Sequence, residues 1–186
     1  MKREVEILTE VKDTKQNALK SLRGFKFEGE KETHDIYFFD PKREHLKPTS
    51  GGRLENSFRL RQKGNISYLT YKKDNFKPDG SWVCSDEHET GVSDYGATKA
   101  ILMHLGAEIL TEIKCTKHIF RNEKYEIVLE EVENLGIFLE VECLNDIEEN
   151  KVNEEKKRIW EFINSLGIKI GGELDAGKPE LMLRRK

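Results

Sequence analysis

Four strand-like segments each carry two charges of one sign at alternate positions: Glu4-x-Glu6, Arg59-x-Arg61, Glu87-x-Glu89 and Glu140-x-Glu142. Successive side chains on a strand point to opposite faces, so each pair shares a face. Apolar residues sit behind three of them: Val5 and Ile7, Phe58 and Leu60, Leu139 and Val141. Like charges side by side repel, and an ordinary solvated face mixes signs. A single pair reads best as a solvated sheet face. Four pairs together with Lys72 read instead as an enclosed site with a charged occupant. Carboxylates suit hard divalent cations. Arginine forks suit phosphate oxygens.

The chain has 186 residues, enough for one domain of ordinary size, and the expectation is a single domain over 1–186. Charged residues make up 36% of it, too many for a sheet packed dry on both faces. Nine Phe, five Tyr and two Trp are too many for a disordered chain. A net charge of −3 gives no general attraction to nucleic acid. The three cysteines, Cys84, Cys115 and Cys143, are far apart and odd in number, which predicts reduced thiols in a cytoplasmic protein. No apolar run is long enough for a signal core or a membrane span.

Periodicity and turn residues predict strands at 3–8, 34–39, 57–62, 66–73, 82–92, 109–121, 124–132 and 137–144. Turns are expected at Lys63-Gly64-Asn65 and Pro78-Asp79-Gly80. Helices are expected over 13–23, capped by Asp13; over 94–105, capped by Asp94 and ended by Gly106; and over 148–166. The long helix would bury Ile159, Trp160, Phe162, Ile163 and Leu166. Residues 179–186 read as a short helix or a strand end. Short connections favour antiparallel pairing. Segregation of charge sign favours a sheet curled closed around its polar face. No glycine-rich phosphate loop and no histidine or cysteine metal cluster is present, and the five histidines are scattered.

The charged strands resemble the CYTH family, also called triphosphate tunnel metalloenzymes, and most of all its branch labelled class IV adenylyl cyclase. The likeness runs from about residue 4 to residue 183. Glu4-Val5-Glu6 resembles the opening of an E-x-E-x-K signature, and Asp35-Ile36-Tyr37-Phe38 a D-x-Y-F strand. Phe58-Arg59-Leu60-Arg61 and Leu69-Thr70-Tyr71-Lys72 resemble R-x-R and L-T-x-K strands. Glu87-His88-Glu89 resembles a further E-x-E strand, and the run from Leu129 to Glu142 an L-D-x-V-x-x-L-G-x-F-x-E-x-E stretch. The resemblance implies an α+β fold: a closed eight-stranded antiparallel barrel with flanking helices. It implies Mg²⁺ or Mn²⁺ and a triphosphate such as tripolyphosphate, thiamine triphosphate or ATP, with no nucleic acid and no membrane partner. It also allows a homodimer.

Carried over by position, Arg59, Arg61 and Lys72 would clamp phosphate oxygens. Glu130, Glu140 and Glu142 would hold the metal, and Glu4 and Glu6 would contribute to a metal site near the attacked phosphorus. Glu4, Glu6 and Lys72 are thus the catalytic candidates. Glu87 and Glu89 would line the tunnel. In the sixth strand a K-x-R pattern is replaced by Cys115-Thr116-Lys117, which leaves Lys117 and, on the same face, Arg121 for phosphate. The signature lysine is also replaced, by Leu8. Lys12 has the matching parity but lies about 13 Å further along an extended strand. Glu130 replaces an aspartate, and Gly177-Lys178-Pro179-Glu180-Leu181-Met182 departs from an S-Y-x-E-L-L stretch. These residues imply a metal-dependent protein that hydrolyses a triphosphate or cyclises ATP to cyclic AMP and pyrophosphate. Leu8 supports the alternative, a module that binds triphosphate or polyphosphate with little or no turnover.

Overall fold

A computed structural model describes residues 5–76 and 82–185. Glu4 and the Pro78-Asp79-Gly80 turn lie outside the described residues. Among these residues nine strands form: β1 (Glu6–Val11), β2 (Lys26–Phe39), β3 (Asn56–Lys63), β4 (Ile66–Phe76), β5 (Trp82–Val92), β6 (Glu108–Arg121), β7 (Tyr125–Val132), β8 (Gly136–Cys143) and β9 (Ile170–Glu173). The helices are α1 (Lys15–Ser21), α2 (Tyr95–His104), α3 (Val152–Ser165) and α4 (Lys178–Arg184).

The strands hydrogen-bond in the order β5-β4-β3-β2-β6-β7-β8-β1-β9. Among the described residues the ladder is not closed by hydrogen bonds, which corrects the expected eight-stranded barrel. A strand has two edges, and β1 gives one to β8 and the other to the unforeseen β9. No edge of β1 remains for β5.

The chain divides into two compact units, each assembled from three separate segments. The first comprises 1–31, 76–84 and 115–175; the second comprises 32–75, 85–114 and 176–186. In the first, Val5, Ile7, Ile127, Leu129, Leu139 and Val141 form the dry face of β1, β7 and β8. Ala18 and Leu22 cover it from the α1 side, with Val152, Ile159 and Ile163 from α3. Trp160, Phe162 and Leu166 pack at its margin. The expected cap shifts by one residue. Thr14 accepts the Asn17 N–H, whereas Asp13 accepts from the Thr14 N–H and the Asn17 side chain.

In the second unit, Ile36, Phe38 and Leu60 form the dry face of β2 and β3. Leu102 and Tyr95 of α2 pack on them, and Phe58 stacks on Phe38 with ring centroids 5.6 Å apart. Asp94 caps α2 by accepting the Ala97 N–H at 2.8 Å. The helix stops where Gly106 turns to φ +100°. Ala107 N–H then reaches Leu102 O and Gly106 N–H reaches Met103 O, the paired bonds of a Schellman terminus. The β3–β4 hairpin turns at Gly64, φ +59°, as its sequence predicts. The C-terminal residues resolve into helix, where Glu180 accepts the Gly177 N–H at 2.6 Å and the Leu54 N–H at 2.7 Å.

Candidate functional site: an acidic face and a cationic face

In the first unit, antiparallel register sets β1, β8, β7 and β6 side by side and arranges their polar face in cross-strand rows. One row runs Glu6, Glu142, Glu126, Arg121. The next runs Leu8, Glu140, Val128, Ile119, and the third Glu10, Phe138, Glu130, Lys117. Cys143 N–H donates to Val5 O, so Val5 and Cys143 are a hydrogen-bonded pair. By alternation, Glu6/Glu142 and Leu8/Glu140 are the non-hydrogen-bonded pairs, in which side chains come closest. Two carboxylates therefore face each other at the tightest cross-strand position. Glu130 is fully buried, with Lys117 Nζ 2.6 Å from its carboxylate. Arg121 pairs with Glu126 at 2.8 Å on a more exposed part of the face.

Leu8 stands where the signature lysine is expected, directly opposite Glu140 and in one row with Val128 and Ile119. Lys12 does fold back along β1, but it pairs with Glu10 at 2.5 Å, one row beyond Leu8. Cys115 is buried on the β6 face that carries Lys117.

In the second unit, Asp35 faces Arg61 and Tyr37 faces Arg59 across β2 and β3. Arg61 makes a two-pronged contact with Asp35, Nε to Oδ1 at 2.7 Å and Nη2 to Oδ2 at 2.6 Å. Arg59 Nη1 donates to the Tyr37 hydroxyl at 3.3 Å and lies 3.9 Å from Asp35. Arg59 Nε is buried and has no hydrogen-bond partner among the described residues. Burial works against the charge on Arg59, but Tyr37, Asp35 and Glu87 outweigh it and hold the guanidinium protonated well above its ordinary range. Burial and Arg59 likewise oppose the charge on Arg61, and Asp35 and Tyr37 overcome them. On the same polar face, Lys72 lies 3.8 Å from Glu87, and Thr70 donates to Glu89 at 2.8 Å.

Arg59, Arg61, Lys72, Glu87 and Glu89 thus share the polar face of one unit. Glu6, Glu130, Glu140, Glu142, Lys117 and Arg121 share the polar face of the other. Sequence reasoning missed Glu10 and Glu126 in the first unit, and Asp35 and Tyr37 as partners of the arginines in the second. Strand parity marks all four. Of the histidines, His118 is buried, with Nδ1 3.1 Å from Glu30, and His34 pairs with Glu112 at 2.9 Å. Cys115 and Cys143 are buried and not in disulfides.

Among the described residues, no group of three or more His, Cys, Asp or Glu is gathered tightly enough to hold a metal ion. The donor chemistry nonetheless fits a hard divalent cation. Glu6 and Glu142, which face each other across β1 and β8, and Glu140 in the next row offer only carboxylate oxygen. Among the described residues no helix is long and apolar enough to cross a membrane.

A protein of Methanocaldococcus jannaschii, provisionally named an adenylate cyclase, is 31% identical over 165 residues, 87% of this chain and 89% of its own length. The structure of the PH1819 protein of Pyrococcus horikoshii OT3 superposes with a TM-score of 0.82 at 24% identity, covering 98% of this chain and 99% of that one. HpAC1 of Hippeastrum, provisionally named an adenylyl cyclase and described as having a dominant triphosphatase activity, superposes at 0.69 and 15% identity, covering 100% of this chain and 97% of its own. The family model for the CYTH domain matches residues 2–172. With its charged strands in the family's order and a match over nearly its whole length, the chain belongs to the CYTH domain family.

Proposed function

We propose that this protein, acting as one domain over 1–186, is a divalent-metal-dependent enzyme that processes a triphosphate. The reaction is hydrolysis of an inorganic or organic triphosphate such as tripolyphosphate or thiamine triphosphate, or cyclisation of ATP. The observation that carries the reading is the segregation of charge by strand. Arginines and a lysine converge on the polar face of β3 and β4, while carboxylates meet across β1 and β8. Arg59, Arg61 and Lys72 would bind phosphate oxygens, with Lys117 and Arg121 as further phosphate contacts. Glu6, Glu140 and Glu142, with Glu4 and Glu130, would hold Mg²⁺ or Mn²⁺. A bound divalent cation supplies neutralisation of phosphate charge. The protein's own part is to hold the triphosphate straight and to keep cationic donors aimed at its oxygens. Glu87 and Glu89 would keep Lys72 and Thr70 in place.

The HpAC1 description supports hydrolysis as an activity this fold can house. The Methanocaldococcus relative's name favours cyclisation. The two differ in which phosphorus is attacked: the terminal one by water, or the α-phosphorus by the ribose 3′-hydroxyl. A second reading, a binding module with slow turnover, is favoured by Leu8 opposite Glu140.

The test is incubation of the purified chain with tripolyphosphate, and separately with ATP, each with Mg²⁺ or Mn²⁺, followed by product identification. Orthophosphate establishes a hydrolase. Cyclic AMP with pyrophosphate establishes a cyclase. Triphosphate-induced stabilisation without product favours the binding module, and neither product nor stabilisation refutes the proposal.

A further inference from the structure

The arginine pair raises a physical question. A face that binds a polyanion should gain from unopposed positive charge, yet a buried carboxylate, Asp35, sits against both guanidinium groups at 4% exposure. Its charge must weaken attraction to phosphate. The cross-strand register explains what it does in return. Asp35 lies opposite Arg61 and Tyr37 opposite Arg59, so alternate positions of β2 meet alternate positions of β3. Each arginine receives its own acceptor, a carboxylate fork for Arg61 and a phenol oxygen for Arg59. The fork occupies only part of the Arg61 N–H set. Arg59 keeps a buried Nε donor with no hydrogen-bond partner among the described residues.

We infer that Asp35 and Tyr37 are positioning residues: they fix Arg61 and Arg59 in one rotamer each, so that the remaining N–H donors are pre-aimed at the oxygens of a phosphate chain. The inference rests on the triphosphate reading above and assigns β2 a role in it. Two arginines two residues apart repel each other, and long side chains carry much rotamer entropy. Asp35 offsets the repulsion and, with Tyr37, removes the freedom before the ligand arrives. The loss of net charge is the accompanying cost.

The two effects of Asp35 have opposite signs, and that makes the inference testable. Tripolyphosphate affinity is measured by calorimetry on the full chain, with Mg²⁺ present, for the wild type, Asp35→Asn, Asp35→Glu and Tyr37→Phe. Positioning predicts about tenfold weaker binding for Asp35→Asn, although the face becomes more positive. It predicts weaker binding for Asp35→Glu as well, since the charge is kept but the fork is displaced. Tyr37→Phe should weaken binding by a smaller factor, about threefold. Equal or tighter binding by Asp35→Asn would overturn the inference, because Asp35 would then only neutralise charge. Should Asp35→Asn fail to fold, Asp35→Glu decides: wild-type affinity overturns positioning, and weakened affinity supports it. Failure of the wild type itself to bind either tripolyphosphate or ATP overturns the triphosphate reading, and this inference with it, before any variant is compared.

Discussion

The two polar faces of this protein solve opposite problems. On β3 and β4 the cations arrive with their partners: the Asp35 carboxylate for Arg61, the Glu87 carboxylate for Lys72 and the neutral Tyr37 hydroxyl for Arg59. On β1 and β8, register sets Glu6 against Glu142 and places Glu140 one row away. The cationic face is preorganised by protein groups, so its stability should be insensitive to divalent ions. The acidic face has ion pairs of its own, but it also sets Glu6 against Glu142 at a close cross-strand position, so a divalent ion held there should add to its stability.

The largest effect expected from breaking this contrast is on the cationic face. Arg61→Met removes the fork and leaves buried Asp35 with Arg59 at 3.9 Å, at a cost of about 3 kcal/mol in denaturant unfolding. That loss should be the same in Mg²⁺ and in EDTA. A loss that depends on Mg²⁺ would contradict the assignment of metal dependence to the other face.

On the acidic face, Leu8→Lys puts an ammonium opposite Glu140. Turnover of tripolyphosphate should rise at least about tenfold, within the range of a restored proton-transfer or orienting group. A variant no faster on any triphosphate would show that the missing lysine is not what limits the protein.

Both units also hold a tyrosine neutral. Burial, helped by Glu155, pushes Tyr125 up to about 12, and burial with Glu112 and Asp35 raises Tyr95. Because the folded value of Tyr125 lies above its ordinary value of 10.0, its contribution is complete below that pH and is lost as pH rises through about 12. Tyr125→Phe, which removes the bond to Glu155, should cost about 1 kcal/mol at neutral pH. It should also flatten the alkaline fall in stability, as followed by phenolate absorbance against unfolding. An unchanged alkaline slope would assign that fall to other groups.

The smallest effect sharpens the comparison most. Glu142→Gln removes one of the two carboxylates that face each other across β1 and β8, and under the proposed metal role the stability gained on adding Mg²⁺ should fall by about 0.5 kcal/mol, read as a smaller rise in melting temperature. A variant that gains as much from Mg²⁺ as the wild type would take Glu142 out of the proposed metal site.

Much of this was legible in the sequence because strand parity is strict. Placing Arg59 with Arg61, or Glu140 with Glu142, needed only alternation. So did the burial of Leu60 and Val141 behind them. The partners of these residues were less legible. Pairing Asp35 with Arg61 needs register between strands, which is fixed by the whole β2–β4 meander. The nine-stranded, unclosed ladder was also hidden. Residues 170–173 are Ile-Gly-Gly-Glu, too short and glycine-rich to read as a strand, and they become one only because β1 offers an unpaired edge. Asp13 was the expected cap, and a one-residue difference in helix start gives that role to Thr14.

That short strand has a consequence for behaviour in concentrated solution. An uncovered edge of β1 would present backbone donors and acceptors over Glu6–Val11, a template onto which a strand of another chain could add. β9 occupies that edge and becomes the terminal strand itself. With four residues, two of them Gly171 and Gly172, it offers little that a further strand could grip. Ile170–Glu173 therefore covers the adhesive edge of β1 with very little chain.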